Sequence, residues 1–358
     1  MANISEKQIL NALSYVIEPE IGKDIVSLNL VEDIRLKENK LQFKLKVSNP
    51  SLQSKKRLQE ACEHQLEQKL KTKLDVAILF EALPKSNERP LEQRTILPGV
   101  KHVIAISSGK GGVGKSTVTS NLAVGLSQLG YKVGLIDADI HGPSMPLMLD
   151  VLFDKPEPIE VNGKPKIAPV ESYGVKLMSI GFFAGINDAV VWRGPMASKA
   201  LEQMIADVHW GELDVMLLDL PPGTGDVHLT LVQSAPLSGA IVVSTPQPVA
   251  LADAKKGVSM FRLESINIPV IGMIENMSYF VPDDMPDKKY YIFGMEGARD
   301  LAEQMKVPFL GEVPLVQGIR EAGDVGRPAV LQENTKQSEA FYKVIDQLIK
   351  TVGLEKAV

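Results

Sequence analysis

The run Gly109-Lys110-Gly111-Gly112-Val113-Gly114-Lys115-Ser116 constrains this chain more than any other part of its sequence. It fits G-x-x-x-x-G-K-[ST] in full. Its flanks agree with the motif: Val103–Ile106 reads as a short apolar strand, and Ser116–Gln128 reads as a helix. Glycines at 111, 112 and 114 let the backbone turn so that successive N–H groups converge on phosphate oxygens. The start of the helix adds the positive end of its dipole. In such a loop Lys115 lies against the β- and γ-phosphates, and Ser116 ligates magnesium through its hydroxyl. Gly109 to Thr117 is therefore the expected nucleotide-binding run, with ATP and magnesium as its ligands.

From about residue 100 onward, short apolar runs alternate with helical stretches. The expected strands are 103–106, 133–136, 176–180, 215–218, 240–244, 270–274 and 309–313. The expected helices are 116–128, 197–206, 251–263, 297–305 and 337–351. Such alternation predicts an α/β fold, a mainly parallel doubly wound sheet with helices on both faces. Active groups in such sheets gather beyond the carboxyl ends of the strands. Two carboxylate stations fall there. Val133-Gly-Leu-Ile-Asp-Ala-Asp ends in Asp137 and Asp139, and Asp214-Val-Met-Leu-Leu-Asp ends in Asp219. An apolar strand ending in aspartate is the Walker B arrangement, in which Asp219 holds magnesium through a water. Pro221-Pro-Gly-Thr-Gly follows and reads as a switch, with Gly223 placed to offer a backbone N–H to the γ-phosphate. Asn276, after the strand 270–274, has a donor and an acceptor for an adenine edge. The loop after Val313-Pro314-Leu315 is expected to close over the base.

The first 80 residues are charged and poor in glycine. Leu41–Val47 alternates as a half-buried strand does. Lys55–Leu74 carries Leu58, Ala61, Cys62, Leu66 and Leu70 at helical spacing, and Ile4–Val16 reads as an earlier helix capped by Ser5. Residues 1–80 are thus expected as a small α+β domain, 81–98 as a proline-rich linker, and 99–358 as the nucleotide-binding domain.

Net charge is −5, so no general basic face favours nucleic acid. The single cysteine, Cys62, permits no intramolecular disulfide. Met1 to Leu10 lacks the apolar core of a secretory signal, and no apolar stretch has the roughly 20 residues needed to cross a bilayer. A cytoplasmic protein with neither nucleic-acid nor membrane partner is expected. The histidines at 64, 102, 141, 209 and 228 show no metal-ligand spacing, and the methionines read as core filler. The C-terminal helix has Phe341, Val344, Ile345, Leu348 and Ile349 on one face and a polar face that is not strongly basic. Docking onto the sheet is expected rather than membrane binding.

The motifs together resemble a known family. Ile106-Ser-Ser-Gly-Lys-Gly-Gly-Val-Gly-Lys-Ser-Thr117, Asp137-Ala-Asp-Ile-His-Gly-Pro-Ser144, Trp192-Arg-Gly-Pro-Met196, Asp219-Leu-Pro-Pro-Gly-Thr-Gly-Asp226 and Glu275-Asn-Met-Ser278 are similar to the Mrp/ApbC family of ATP-dependent iron–sulfur cluster carriers. Glu18-Pro-Glu-Ile-Gly-Lys-Asp-Ile-Val-Ser-Leu28 resembles the small iron–sulfur-assembly domain that often precedes the ATPase. The lysine at 110 marks the MinD-like, deviant class of P-loop ATPases. That resemblance implies a homodimer across the ATP site, with Lys110 reaching the partner subunit's nucleotide as an arginine finger does. It implies Asp139 as the aspartate that orients the attacking water. It also implies an iron–sulfur apoprotein or assembly partner.

One departure from the family stands out. Its carriers usually have a C-x-x-C pair shortly after the Asn-Met-Ser run, and Tyr279–Gly294 here contains no cysteine. Pro282 and Met285 stand roughly where the pair belongs, and Asp283, Asp284 and Asp287 are hard ligands unsuited to iron–sulfur binding. No cluster-ligand set is evident. The alternatives are a cluster held with partner or glutathione thiolates, action on a cluster-bearing partner, and a nucleotide-switched scaffold or positioning ATPase that holds no cluster.

Overall fold

The computed structural model describes residues 4–17, 24–37, 39–47, 52–72, 74–82, 97, 99–140, 142–183, 194–282, 284–285 and 288–356. Contacts divide the chain into two compact units, Met1–Glu92 and Gln93–Val358.

The first unit contains α1 (Glu6–Leu13), β1 (Val31–Lys37), β2 (Lys40–Val47), α2 (Leu52–Leu70) and β3 (Asp75–Ala82). The strands lie in the order β1-β2-β3, with β1 antiparallel and β3 parallel to β2. Leu41, Phe43, Leu45 and Val47 alternate onto one face of β2 and are buried there. Ile9 and Leu13 of α1 and Leu58, Cys62 and Leu66 of α2 join them in one core. Ser5 precedes α1, and its N–H donates to Gln8 Oε1 at 2.9 Å. The sequence reading missed β1 and β3. Val76, Ile78 and Phe80 do alternate in β3, and they pack against this core. That strand runs on through Glu81 and Ala82, two positions taken as linker. Residues 83–96 lie outside the described residues, as do residues 18–23 of the small-domain motif and residues 48–51.

The second unit is built on an eight-stranded sheet among the described residues. In chain order its elements are β4 (Val100–Ser107), α3 (Lys115–Gln128), β5 (Val133–Asp137), α4 (Met145–Met148), β6 (Pro158–Val161), β7 (Lys164–Ile167), β8 (Val170–Ser172), β9 (Val175–Ser179), α5 (Gly194–Ala206), β10 (Leu213–Asp219), α6 (Asp226–Ser234), β11 (Gly239–Ser244), α7 (Pro248–Phe261), β12 (Val270–Glu275), α8 (Gly297–Met305), β13 (Phe309–Glu312), α9 (Gln317–Asp324) and α10 (Lys336–Val352). The sheet order is β13-β12-β11-β4-β10-β5-β9-β8. All neighbours are parallel except β8 with β9. β6 and β7 form a separate hairpin.

Every residue of β5, β10 and β11 is buried, as strands covered on both faces require. Two apolar clusters flank the sheet, one on each face. The register aligns the strand ends that matter: Ile106 pairs with Asp219, Asp219 with Asp137, and Asp137 with Ser179. Parallel pairing thus brings the residues that follow β4, β10, β5 and β9 to one rim.

The apolar face of α10 is buried against this unit. Phe341, Val344, Ile345 and Leu348 are all fully enclosed. Val344 meets Gly311 of β13, and Ile345 meets Gly125 of α3, where a β-carbon would lie 2.3 Å from Ile345 Cδ1. Phe341→Ala should cost about 3–5 kcal/mol, the range for emptying a buried aromatic site. A chemical denaturation midpoint unchanged from wild type would contradict this docking.

Candidate nucleotide site

The phosphate loop leaves β4 and turns into α3 with Gly112 at φ +82° and Gly114 at φ +78°. Gly114 must be glycine for a second reason. A β-carbon there would sit 2.2 Å from Asn276 Nδ2. Gly109 is packed as closely, since its β-carbon would lie 2.2 Å from the carbonyl carbon of Asp253 in α7. The loop is therefore wedged between β12's end and α7, and its shape is fixed by neighbours as much as by its own dihedrals. The amide groups of Gly111, Gly112 and Gly114 to Thr117 have no acceptor among the described residues. Backbone donors at a helix start and a glycine turn suit a polyphosphate.

Four side chains converge below the loop. Lys115 Nζ lies 2.7 Å from Asp219 Oδ2 and 3.5 Å from Asp139 Oδ2. Ser116 Oγ donates to the same Asp219 Oδ2 at 2.7 Å. All of Lys115, Asp139 and Asp219 are buried, and the ammonium offsets the two carboxylates. Thr119 Oγ1 sits between Asp219 Oδ1 at 2.7 Å and the Lys115 carbonyl at 2.9 Å. The sequence reading passed over Thr119, although it lies one helical turn after Lys115 on the same face of α3. Ser116 and Asp219 supply hard oxygen donors side by side, the set that suits magnesium when phosphate oxygens complete the shell.

Asp137 plays a different part from its neighbour. It is fully enclosed and accepts from Ser179 Oγ at 2.9 Å, Met145 N at 3.1 Å and Asp139 N at 3.2 Å. It holds the turn that carries Asp139, so it positions the site without facing the concavity. Ser179 was likewise not foreseen, and only the register reveals it. His141 of the same motif lies outside the described residues, as do Trp192 and Arg193.

The remaining expected residues fall around the same rim. Asn276 is buried, and its Nδ2 donates to the Val113 carbonyl at 2.8 Å, so one of its groups is engaged in bracing the loop. It also lines a largely apolar cavity of about 280 Å³ with Thr117, Met277, Pro314, Leu315 and Ile319. The loop after Val313 does border this cavity, which adjoins the start of α3. Gly223 has φ +93°, and its N–H donates to the Ser108 carbonyl at 2.9 Å. A γ-phosphate would compete with that carbonyl for the same N–H. Lys110 is half-buried, and its Nζ has neither a hydrogen bond nor an ion pair among the described residues. Cys62, in the other unit, is buried, and burial pushes its thiol up to about 12.

Residues 99–349 match the family described as NUBPL iron-transfer P-loop NTPase, and residues 6–80 match the family described as iron–sulfur cluster assembly protein. The chain belongs to the NUBPL iron-transfer P-loop NTPase family. The iron–sulfur cluster carrier protein of Synechocystis is 40% identical, with 98% of each chain covered. That of Aquifex aeolicus is 49% identical over 74% of this chain and 72% of its own length. Among solved structures, a nucleotide-binding protein from Archaeoglobus fulgidus in complex with ADP is 35% identical, with a TM-score of 0.59. It covers 70% of this chain and 95% of its own. No described helix is long and apolar enough to cross a membrane.

This family member carries a pH-sensitive group at its site. Burial first, then the Asp219 carboxylate, push Asp137 up from the ordinary carboxylate value to about 7. The folded chain keeps a proton that the unfolded chain releases near pH 4. Stability from this group is therefore lost as pH rises from about 4 through about 7, and then levels off. Denaturation of nucleotide-free protein between about pH 5 and about pH 8 should show a shallower decline for Asp137→Asn than for wild type. Parallel profiles would contradict the assignment.

Proposed function

We propose that this chain binds and hydrolyses ATP with magnesium and uses that cycle in iron–sulfur cluster transfer to apoproteins. The observation that carries the reading is the convergence of Lys115, Ser116, Asp139 and Asp219 beside a loop most of whose amides have no acceptor among the described residues. Family membership and the cluster-carrier relatives support the transfer role.

In this reading Gly109, Lys110, Gly111, Gly112, Val113, Gly114, Lys115, Ser116 and Thr117 cradle the phosphates. Lys115 exchanges its ion pair with Asp219 for phosphate oxygens. Ser116, and Asp219 through a water, hold magnesium, which neutralises charge on the β- and γ-phosphates when bound. Asp139, beside Lys115, orients the attacking water. The base occupies the cavity beside Asn276, and Gly223 turns its N–H from Ser108 to the γ-phosphate. Two chains face each other across their nucleotides, with Lys110 of one completing the charge balance at the other. Lys110→Ala should then lower turnover about 1,000-fold, the low end for a trans-acting cation. Affinity for the magnesium–ATP complex should change less than about threefold, an effect well under 1 kcal/mol. Steady-state turnover alongside equilibrium nucleotide binding measures both, and wild-type turnover in the variant would exclude the in-trans role.

The cluster's thiolates must come from outside this chain. Its one cysteine is buried with a thiol poorly able to ionise, and thiolate is the ligand iron requires. The same observation favours a second reading, a nucleotide-switched scaffold that holds no cluster itself. Anaerobic mixing with iron and sulfide alone should leave wild type and Cys62→Ser equally free of visible charge-transfer absorbance. Given a glutathione-bound cluster and a four-cysteine apoprotein acceptor, ATP should speed cluster delivery. Unchanged delivery with intact ATP turnover would select the scaffold.

A further inference from the structure

His228 lies in the first turns of α6, just after the switch run Pro221–Gly225, and is buried. Its Nδ1 is 2.9 Å from the Pro221 carbonyl, and its Nε2 is 3.4 Å from Ser107 Oγ. A carbonyl only accepts, so Nδ1 carries the proton; Nε2 then accepts from the serine hydroxyl. Both contacts are satisfied by a single neutral tautomer. Burial, which also holds the imidazole below its usual range, agrees with that state. The ring's remaining face meets Phe261 edge-on at 6.1 Å between centroids. Histidine was read from sequence as structural here, and nothing in its spacing pointed further.

The position matters because of what surrounds it. Ser107 ends β4, the strand that launches the phosphate loop, and Pro221 opens the switch run two residues after Asp219. The switch is stapled to β4's end at two other points, Leu220 N to the Ile106 carbonyl at 3.1 Å and Gly223 N to the Ser108 carbonyl at 2.9 Å. The second must break if Gly223 is to serve a γ-phosphate. The Leu220 bond and the His228 bridge need not. Gly223 can then swing about a point fixed between Leu220 and Pro221.

We infer that His228 is a positioning residue, fixing the Pro221 carbonyl as the pivot about which Gly223 trades the Ser108 carbonyl for the γ-phosphate. This rests on the nucleotide reading above and adds a residue to it. Without the pivot the backbone from Pro221 to Gly223 has more arrangements to lose on ordering. The loss falls on ligands that carry a γ-phosphate and spares those that do not.

An isosteric pair isolates the donor. Asparagine places Nδ2–H where Nδ1–H stands, whereas leucine has the same shape and no donor. Both leave the same void beside Phe261, so any packing loss is common to them. His228→Leu should weaken binding of a non-hydrolysable ATP analogue and lower turnover about tenfold, as loss of one buried hydrogen bond of about 1.4 kcal/mol would. ADP affinity should stay at the wild-type value, and His228→Asn should restore the ATP-analogue-to-ADP affinity ratio to within about threefold, a difference under 1 kcal/mol. Parallel weakening of both nucleotides, or equal behaviour of the leucine and asparagine variants, would overturn the inference. Should the leucine variant fail to fold, His228→Phe keeps a ring beside Phe261 and removes the donor to the Pro221 carbonyl, and a wild-type affinity ratio there would overturn the inference equally. Wild-type protein that binds no magnesium–ATP would instead refute the nucleotide reading itself, whatever the variants do.

Discussion

The ion pair between Lys115 and Asp219 is the interaction on which the rest of this site depends. Parallel register sets Asp219 beside Asp137 at adjacent strand ends, and both are enclosed. Two carboxylates so placed cannot both be charged cheaply. Lys115 meets one, and burial beside the Asp219 carboxylate makes Asp137 take up its proton more readily, against the opposing pull of its own donors. The lysine is thereby held at the mouth of the loop, already desolvated. In the proposed reading, exchange of a carboxylate for a phosphate then needs no new desolvation of the lysine. The close contacts of Gly109 with α7 and of Gly114 with Asn276 hold the amides in place while that exchange happens.

In the proposed reading the same geometry links nucleotide state to shape. Gly223 N–H, which now donates to Ser108 O, would serve either that carbonyl or a phosphate oxygen, one at a time. Lys115 likewise lies within reach of both Asp219 and Asp139. Each of these is a choice between two discrete partners, the kind of element that converts a local ligand into a conformational change. α6 follows directly from the switch and packs against α5. The transfer role proposed for this chain would draw on such a coupling, since Tyr279–Gly294 contains no cysteine to hold a cluster.

Much of the nucleotide domain could be read directly. The strand and helix positions expected from apolar runs match the observed elements to within a few residues, because buried parallel strands are continuous apolar segments. Residues 297–305 coincide with α8. Asp219 was legible because it ends such a run, and Asp139, two residues past the end of β5, was singled out through the family resemblance. Thr119, Ser179 and His228 were not, for physical reasons. Each acts through a partner distant in sequence, and only the register of β5 with β9, or the fold of the switch back onto β4, brings the partners together. Asn276 was expected at the base, yet one of its groups braces Val113. That double duty depends on how closely β12 approaches the loop, which sequence spacing does not encode. In the small unit β1 was missed because a bulge between Glu32 and Arg35 breaks the alternation. The boundary at 80 fell short because β3 continues to Ala82.

The central claim is that loop amides and Lys115 together form a polyphosphate site completed by magnesium. Calorimetric titration of wild-type protein with ATP, in magnesium and again in excess chelator, tests it most directly. The account predicts saturable binding in the micromolar range, about −8 kcal/mol, with affinity falling at least about tenfold when magnesium is removed. Heat indistinguishable from dilution at millimolar nucleotide, or binding indifferent to the metal, would contradict it.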